Sequence, residues 1–196
     1  MMKASLTFIL LLCILFSKAQ REANNDLKNR IFMMFEEDQK WRREYNKINF
    51  GEKSDYDEIT VNRRLSETDS LNLILAKCII LKYGFPGYNL VGSEGSNKFW
   101  SIVQHCDDDL AFQKKALVLM DKEVKRNNAS ASNSAMLRDR VLVSQGKKQI
   151  YGTQVRYNVE LKKSQPFPIE DPDNVDVRRK KVGLSTLSDY LKLFNR

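Results

Sequence analysis

A mainly helical domain with a small C-terminal β-hairpin or strand pair is the fold class that this sequence predicts. Three observations carry that expectation. Apolar residues recur at steps of three and four through five successive segments between Asn25 and Gln145. Polar caps, glycines or prolines punctuate those segments. From Val155 onward the period drops to two, as on a half-buried strand.

Residues 1–19 stand apart from the fold. Met1-Met2-Lys3 is basic, residues 4–16 are almost purely apolar, and Ser17-Lys18-Ala19 has small residues at both positions a signal peptidase reads. This pattern reads as a secretory signal peptide cleaved after Ala19. The apolar run is too short to span a bilayer comfortably, so an uncleaved anchor is the weaker reading. Cys13 does not fit lipidation, because Leu12 precedes it where a small residue is needed. The expectation is an exported chain, periplasmic or extracellular. It has one helical domain over 20–196 and no stable membrane span once the signal is gone.

The formal net charge is +8, of which Lys3 and Lys18 leave with the signal. The basic residues are scattered in pairs, and only Arg178-Arg179-Lys180-Lys181 forms a run. A nucleic-acid binder concentrates charge on one face with aromatics between. Here the charges read as solvated faces, and no nucleic-acid partner is expected. Export permits a disulfide between Cys78 and Cys106. Both lie in helical apolar patterns, where a free cysteine behaves as a small hydrophobe.

The first helix is expected over residues 25–48. Leu27, Ile31, Met34, Trp41, Tyr45 and Ile48 form its stripe. Asp38 falls on that stripe, and a carboxylate there needs donors or a metal. Residues 51–64 read as a polar loop. Asp69 or Ser70 can cap a second helix running to Tyr83; Leu71, Ile74, Leu75, Cys78, Ile79 and Leu81 make it central. Gly84 is its natural C-cap, and Pro86 prevents continuation. A glycine-rich turn over 84–95 leads to a third helix at about Ser96, which carries Phe99, Trp100, Val103 and Cys106. Asp109 is the favoured cap of the fourth, lined by Leu110, Leu117, Met120 and Val124 with Gln113 on the same stripe. Asn128-Ala129-Ser130 is a formal glycosylation sequon, relevant only in a eukaryotic secretory pathway. A fifth helix follows over 133–145, ended by Gly146. Val155, Tyr157, Val159 and Leu161 then alternate with polar residues. Pro166, Pro168 and Pro172 make an extended link to two short terminal helices over 173–182 and 185–194.

Three short polar runs break the apolar patterns. They are Gln104-His105-Cys106-Asp107-Asp108-Asp109, Asp139-Arg140-Val141 and Gln149-Ile150-Tyr151-Gly152-Thr153-Gln154, and the first holds the only histidine. Buried polar groups need partners, and convergence would satisfy them together. Asp38, Gln39, Gln104, His105, Asp139, Arg140, Tyr151 and Gln154 are therefore expected to line one pocket. Amides, a hydroxyl and paired charges suit a polar small molecule or a cell-envelope component such as a saccharide or peptide. The alternative is a hydrolase with His105, Asp108 or Asp139 as general base. A third reading is a structural or interaction module in which the same residues tie helices together. No nucleophile elbow, P-loop, H-E-x-x-H or CxxC is present. A metal on Asp38, Asp108, Asp109, Asp139 and the lone imidazole is conceivable, but the spacing is not diagnostic; no metal or cofactor is assigned.

The same blocks resemble a bacterial family designated domain of unknown function 6624. Asp38-Gln39, Gly84-Phe85-Pro86 with Leu90-Val91-Gly92, Gln104-His105-Cys106-Asp107 and Asp139-Arg140-Val141 match its pattern. So do the Gln149–Gln154 run and Arg178-Arg179-Lys180-Lys181-Val182-Gly183-Leu184. The most specific of these is the Q-x-Y-G-T-Q run after D-R-V. The family usually has a tryptophan where Phe85 stands and a small residue where Cys106 stands. The resemblance spans most of the chain beyond the signal and implies the domain; it supplies no reaction.

Overall fold

The computed structural model describes the backbone of residues 2–195 and the side chains of residues 21–195 other than residue 23. The signal peptide expected over residues 1–19 lies outside the described side chains. In chain order the elements are α1 (Met2–Asn49), α2 (Glu58–Tyr83), α3 (Tyr88–Gln104), α4 (Leu110–Lys125) and α5 (Ala131–Ser144). Then come β1 (Val155–Asn158), β2 (Lys163–Pro166), a 3-10 turn (Pro172–Asn174), α6 (Val175–Lys181) and α7 (Leu187–Lys192). The protein is mainly helical, and β1 pairs antiparallel with β2, Val155 opposite Pro166 and Asn158 opposite Lys163. Among the described residues no helix is long and apolar enough to cross a membrane.

Helix α1 buries Leu27, Ile31, Met34, Asp38 and Trp41, the expected stripe. Its last turn departs from expectation. Glu44 is buried, whereas Tyr45 is 39% exposed. Glu44 accepts hydrogen bonds from Lys47 Nζ at 2.7 Å, Asp55 N at 3.0 Å and Ser54 Oγ at 2.8 Å, which fold the following turn back onto the helix. These donors pull its pKa down to about 2.

Helix α2 begins eleven residues before the cap expected at Asp69. Asp57 is the N-cap and accepts from Thr60 N at 2.8 Å, so much of the expected loop is helix. The buried face is Val61, Thr68, Asn72, Ala76, Ile79 and Ile80. Leu71, Ile74, Cys78 and Leu81, expected inside, are exposed. The helix is apolar on more than one face, and α1 and α3 cover only one of them.

Helix α3 starts at Tyr88 and breaks at Gly92 (φ 76°, ψ 168°), a left-handed position that favours glycine. Its first turn is held by Asn128. The Asn128 carbonyl accepts from Tyr88 N and its Oδ1 from Asn89 N, both at 2.8 Å, while its Nδ2 donates to Glu123. The sequon asparagine is therefore a bracket between α3 and α4. A Cβ on Gly87 would lie 2.2 Å from Asn128 Nδ2 and 2.7 Å from its carbonyl oxygen, so this close approach requires glycine.

Asp109 caps α4 as expected, accepting from Phe112 N at 2.8 Å. Ser130 caps α5. The apolar core gathers side chains from Leu27 to Val141, with Phe85 and Phe99 edge to face at its centre. Strand β1 stops at Asn158, short of the alternation expected through Leu161: Val159 and Leu161 lie exposed in the turn over 159–162, and Tyr157 on β1 is exposed too.

Candidate functional site

Three polar networks descend from the singled-out residues. The first is built on Asp38, wholly buried on the inward stripe of α1. Gln39 Nε2 donates to Asp38 Oδ2 at 2.8 Å, and Arg42 Nε, one turn on, lies 3.1 and 3.2 Å from its two oxygens. His105, the C-cap of α3, places Nδ1 at 3.0 Å from both oxygens. Arg42 Nη2 donates to Asp69 on α2 at 2.5 Å. Burial pushes the Asp38 carboxyl up, but the hydrogen bond and charge of His105, then Arg42 and Gln39, outweigh it and hold the group below the ordinary carboxylate value. At Asp69 burial wins despite Arg42, and its carboxyl is raised.

His105 Nδ1 is also 2.8 Å from Arg42 Nε. One nitrogen cannot donate to Asp38 and accept from Arg42 at once. The buried carboxylate has the greater need of donors, which assigns the proton to Nδ1 and directs it at Asp38. Among the described residues Nε2 has no hydrogen-bond partner, and the His105 side chain is 22% exposed.

The second network joins α3 to α5. Arg140 Nε donates to Gln104 Oε1 at 2.9 Å, and Arg140 Nη1 clamps Asp107 at 2.9 and 2.7 Å. Gln113 Nε2 reaches the carbonyls of Val103 and Gln104 and the Asp107 carboxylate. Gln104 Nε2 and Gln113 Oε1 are buried without a partner among the described residues. Cys106 sits here too, buried. Its thiol is pushed up to about 12 by burial and then by the nearby carboxylates, so it is no nucleophile at neutral pH.

The third network is closed. Asp139, wholly buried on α5, accepts from Ile150 N at 2.7 Å, Tyr151 N at 3.1 Å, and Thr153 N and Oγ1 at 3.0 Å each. Both oxygens are occupied by the loop, which leaves none for chemistry. Gln149 spans the next layer. Its Nε2 donates to the Gln154 and Phe167 carbonyls, and its Oε1 accepts from Gln154 N. Gly152 sits at φ 70°, and a Cβ there would meet Ile169 and Leu187 below 3.0 Å. Arg179, in the run read as solvated, is fully buried and donates to the Tyr151 and Ser185 carbonyls at 2.6 Å each.

Asp38, Gln39 and His105 thus form one group, Gln104 and Arg140 a second, and Asp139, Tyr151 and Gln154 a third. Backbone adjacency links them, at Gln104–His105 and Asp139–Arg140. Tyr151 contributes backbone groups rather than its hydroxyl. Asp108 is exposed, and Asp109 pairs with Lys77 at 2.6 Å. Among the described residues no three metal-ligating side chains converge. Cys78 and Cys106, the cysteines among the described side chains, are free. Sequence reading missed Asp69, taken for a cap, and Arg179, taken for surface. The family block around Arg178–Leu184 was the available signal for the latter.

A family model described as "Family of unknown function (DUF6624)" matches residues 25–196, and the chain belongs to that family. No curated protein and no solved structure matches it.

Proposed function

We propose that this member of a family of unknown function is an exported binding domain that takes a polar ligand at the open edge of His105. The observation that carries this reading is the asymmetry of the imidazole. Nδ1 is fixed against a fully buried carboxylate, whereas Nε2 has no hydrogen-bond partner among the described residues on a ring that is 22% exposed. A ring nitrogen without a protein partner on a partly exposed imidazole is free to hydrogen-bond a ligand. Arg42 and Asp69 flank the ring and can contact hydroxyl or amide groups of a saccharide or peptide. Asp139 and Gln149 belong to the scaffold in this reading.

The same geometry favours a second reading. A carboxylate on Nδ1 holds the tautomer that makes Nε2 a general base, as in hydrolases. An unbiased screen of envelope saccharides and peptides, read by calorimetry and by product analysis, separates the two. For the first reading, His105→Ala abolishes binding while the chain still folds; because it also takes a donor from the buried Asp38 carboxylate, it should cost about 1–3 kcal/mol of stability. Turnover of a bound compound that disappears in Asp38→Asn would establish the second. If His105→Ala unfolds the chain and no compound binds the wild type, both readings fail.

A further inference from the structure

We propose that the tip of the β1–β2 hairpin docks on an anionic lipid surface, where Val159 and Leu161 enter the headgroup layer and Arg156, Lys162 and Lys163 meet lipid phosphates. The turn over residues 159–162 joins the two strands and holds Val159 at 77% and Leu161 at 54% exposure. Tyr157, next to the last residue of β1, is 62% exposed. A hydrogen-bonded turn presents these apolar side chains to solvent. Asn158 Oδ1 accepts from Leu161 N at 2.9 Å, and Asn158 Nδ2 donates to Gln165 Oε1 at 3.3 Å. Asn195 clamps β2. Its Oδ1 accepts from Ser164 N at 2.6 Å, and its Nδ2 donates to the Ser164 carbonyl at 3.2 Å. The clamp keeps the neighbouring Leu193 and Phe194, both exposed, beside the hairpin.

Charge and shape together select the occupant. Lys192 on α7 is neutralised by Asp189 at 2.7 Å. Arg156, Lys162 and Lys163 are exposed and, among the described residues, pair with no carboxylate; Arg156 lies over the Phe167 ring at 5.5 Å. Glu160 is the one acid between Val155 and Pro166, so the hairpin sets three cations against a single anion. At the boundary of an anionic bilayer aliphatic groups enter the headgroup layer, lysines stay with the phosphates and tyrosine sits at the interface. The hairpin tip offers all three. A convex turn cannot enclose a small molecule, which needs a concave site. A nucleic acid would engage the cations and leave Val159 and Leu161 uncovered. Two aliphatic side chains bury little area, so the association should be weak, reversible and salt-sensitive. It does not depend on the ligand at His105.

The test is binding of the full chain to vesicles of equimolar phosphatidylcholine and phosphatidylglycerol, against vesicles of phosphatidylcholine alone. Leu161→Trp reports on the tip by difference from the wild type. Its added emission should shift to the blue and be quenched by brominated acyl chains on the anionic vesicles only. Changing Lys162→Gln and Lys163→Gln together should weaken anionic binding roughly tenfold or more, since each cation near such a surface is worth about fivefold. Val159→Ser with Leu161→Ser should weaken it comparably, and Glu160→Gln should tighten it. Helical dichroism should stay unchanged throughout, because all of these side chains are exposed. Attachment through the apolar residues 4–16 would hold the chain on both kinds of vesicle, and the Leu161→Trp emission decides there too, because it senses the tip alone. An unshifted emission overturns the proposal. So does anionic binding that survives the double serine change, which marks a site for polyanions through the cations only, and so does a chain that binds neither vesicle.

Discussion

Replacing Asp139 tests the assignment of the third network to scaffold. Its carboxylate receives four donors, three backbone N–H groups and the Thr153 hydroxyl, and it is itself wholly buried. Asp139→Ala strands all four. Thr153 is buried and cannot reach water, whereas Ile150 and Tyr151 are half-buried and partly can. A stranded buried donor costs ~1–3 kcal/mol, with the low end for groups that find water. The hydroxyl can rotate, so the sum is about 3–5 kcal/mol, a large share of the ~5–15 kcal/mol that holds a domain together. Asp139→Asn keeps one carbonyl oxygen for Ile150 and Tyr151 and turns an NH2 toward Thr153 N. Its cost should be intermediate, about 1–3 kcal/mol. Urea unfolding measures both as shifts in midpoint. Amide exchange at Ile150, Tyr151 and Thr153 should accelerate in the same order. An alanine variant within ~1 kcal/mol of wild type would refute the reasoning, since buried donors cannot be stranded so cheaply.

Acid should weaken the fold through Glu44 and Asp38, whose folded-state pKa values are lowered. Their stabilisation is complete above the ordinary carboxylate range and is lost as pH falls through the folded values, for Glu44 from 4.5 to about 2. Asp69, raised by burial, acts in the opposite sense. Glu44→Gln should therefore flatten the acid limb of a stability–pH profile, and an unchanged profile would count against the Lys47–Ser54–Asp55 clasp. Gly87→Ala should cost about 1–3 kcal/mol by driving a methyl into Asn128; in a double-mutant cycle Asn128→Ala should relieve only the side-chain part, because the Asn128 carbonyl oxygen would still stand 2.7 Å from the methyl. Arg179→Lys should cost on the order of 2 kcal/mol, because an ammonium cannot serve the Tyr151 and Ser185 carbonyls with one planar fork; thermal melting reads it. In the native protein maleimide should modify Cys78 and spare Cys106 until denaturant is added, as mass spectrometry would show.

The helical class, the Asp109 cap, the inward placement of Asp38 and the strand pair were legible because each rests on local periodicity or cap chemistry. The start of α2 was not, since Asp57 and Asp69 are equally good caps in sequence. Only the burial of Val61 decides between them. Nor was the exposure of Leu71, Ile74 and Leu81, because an apolar face declares that it needs cover and not what covers it. At the candidate site the polar blocks marked where the three hydrogen-bond networks lie. Their division into an open imidazole and a closed Asp139 staple depends on which donors the chain returns, and that is set by long-range contacts. Arg179 was hidden for the same reason. Beside three other cations it looks solvated, yet it turns inward onto two carbonyls.

The apolar core runs from Leu27 to Val141, while residues 150–153 are tied to it through the Asp139 carboxylate. The two regions should therefore respond differently to temperature. Hydrophobic cohesion weakens on cooling, whereas hydrogen bonds to a buried carboxylate lack that dependence. Toward the cold the five-helix body should loosen first. On heating, the hairpin and the last two helices should come away while the body still holds. The chain would then have two temperatures of greatest firmness, one for each region.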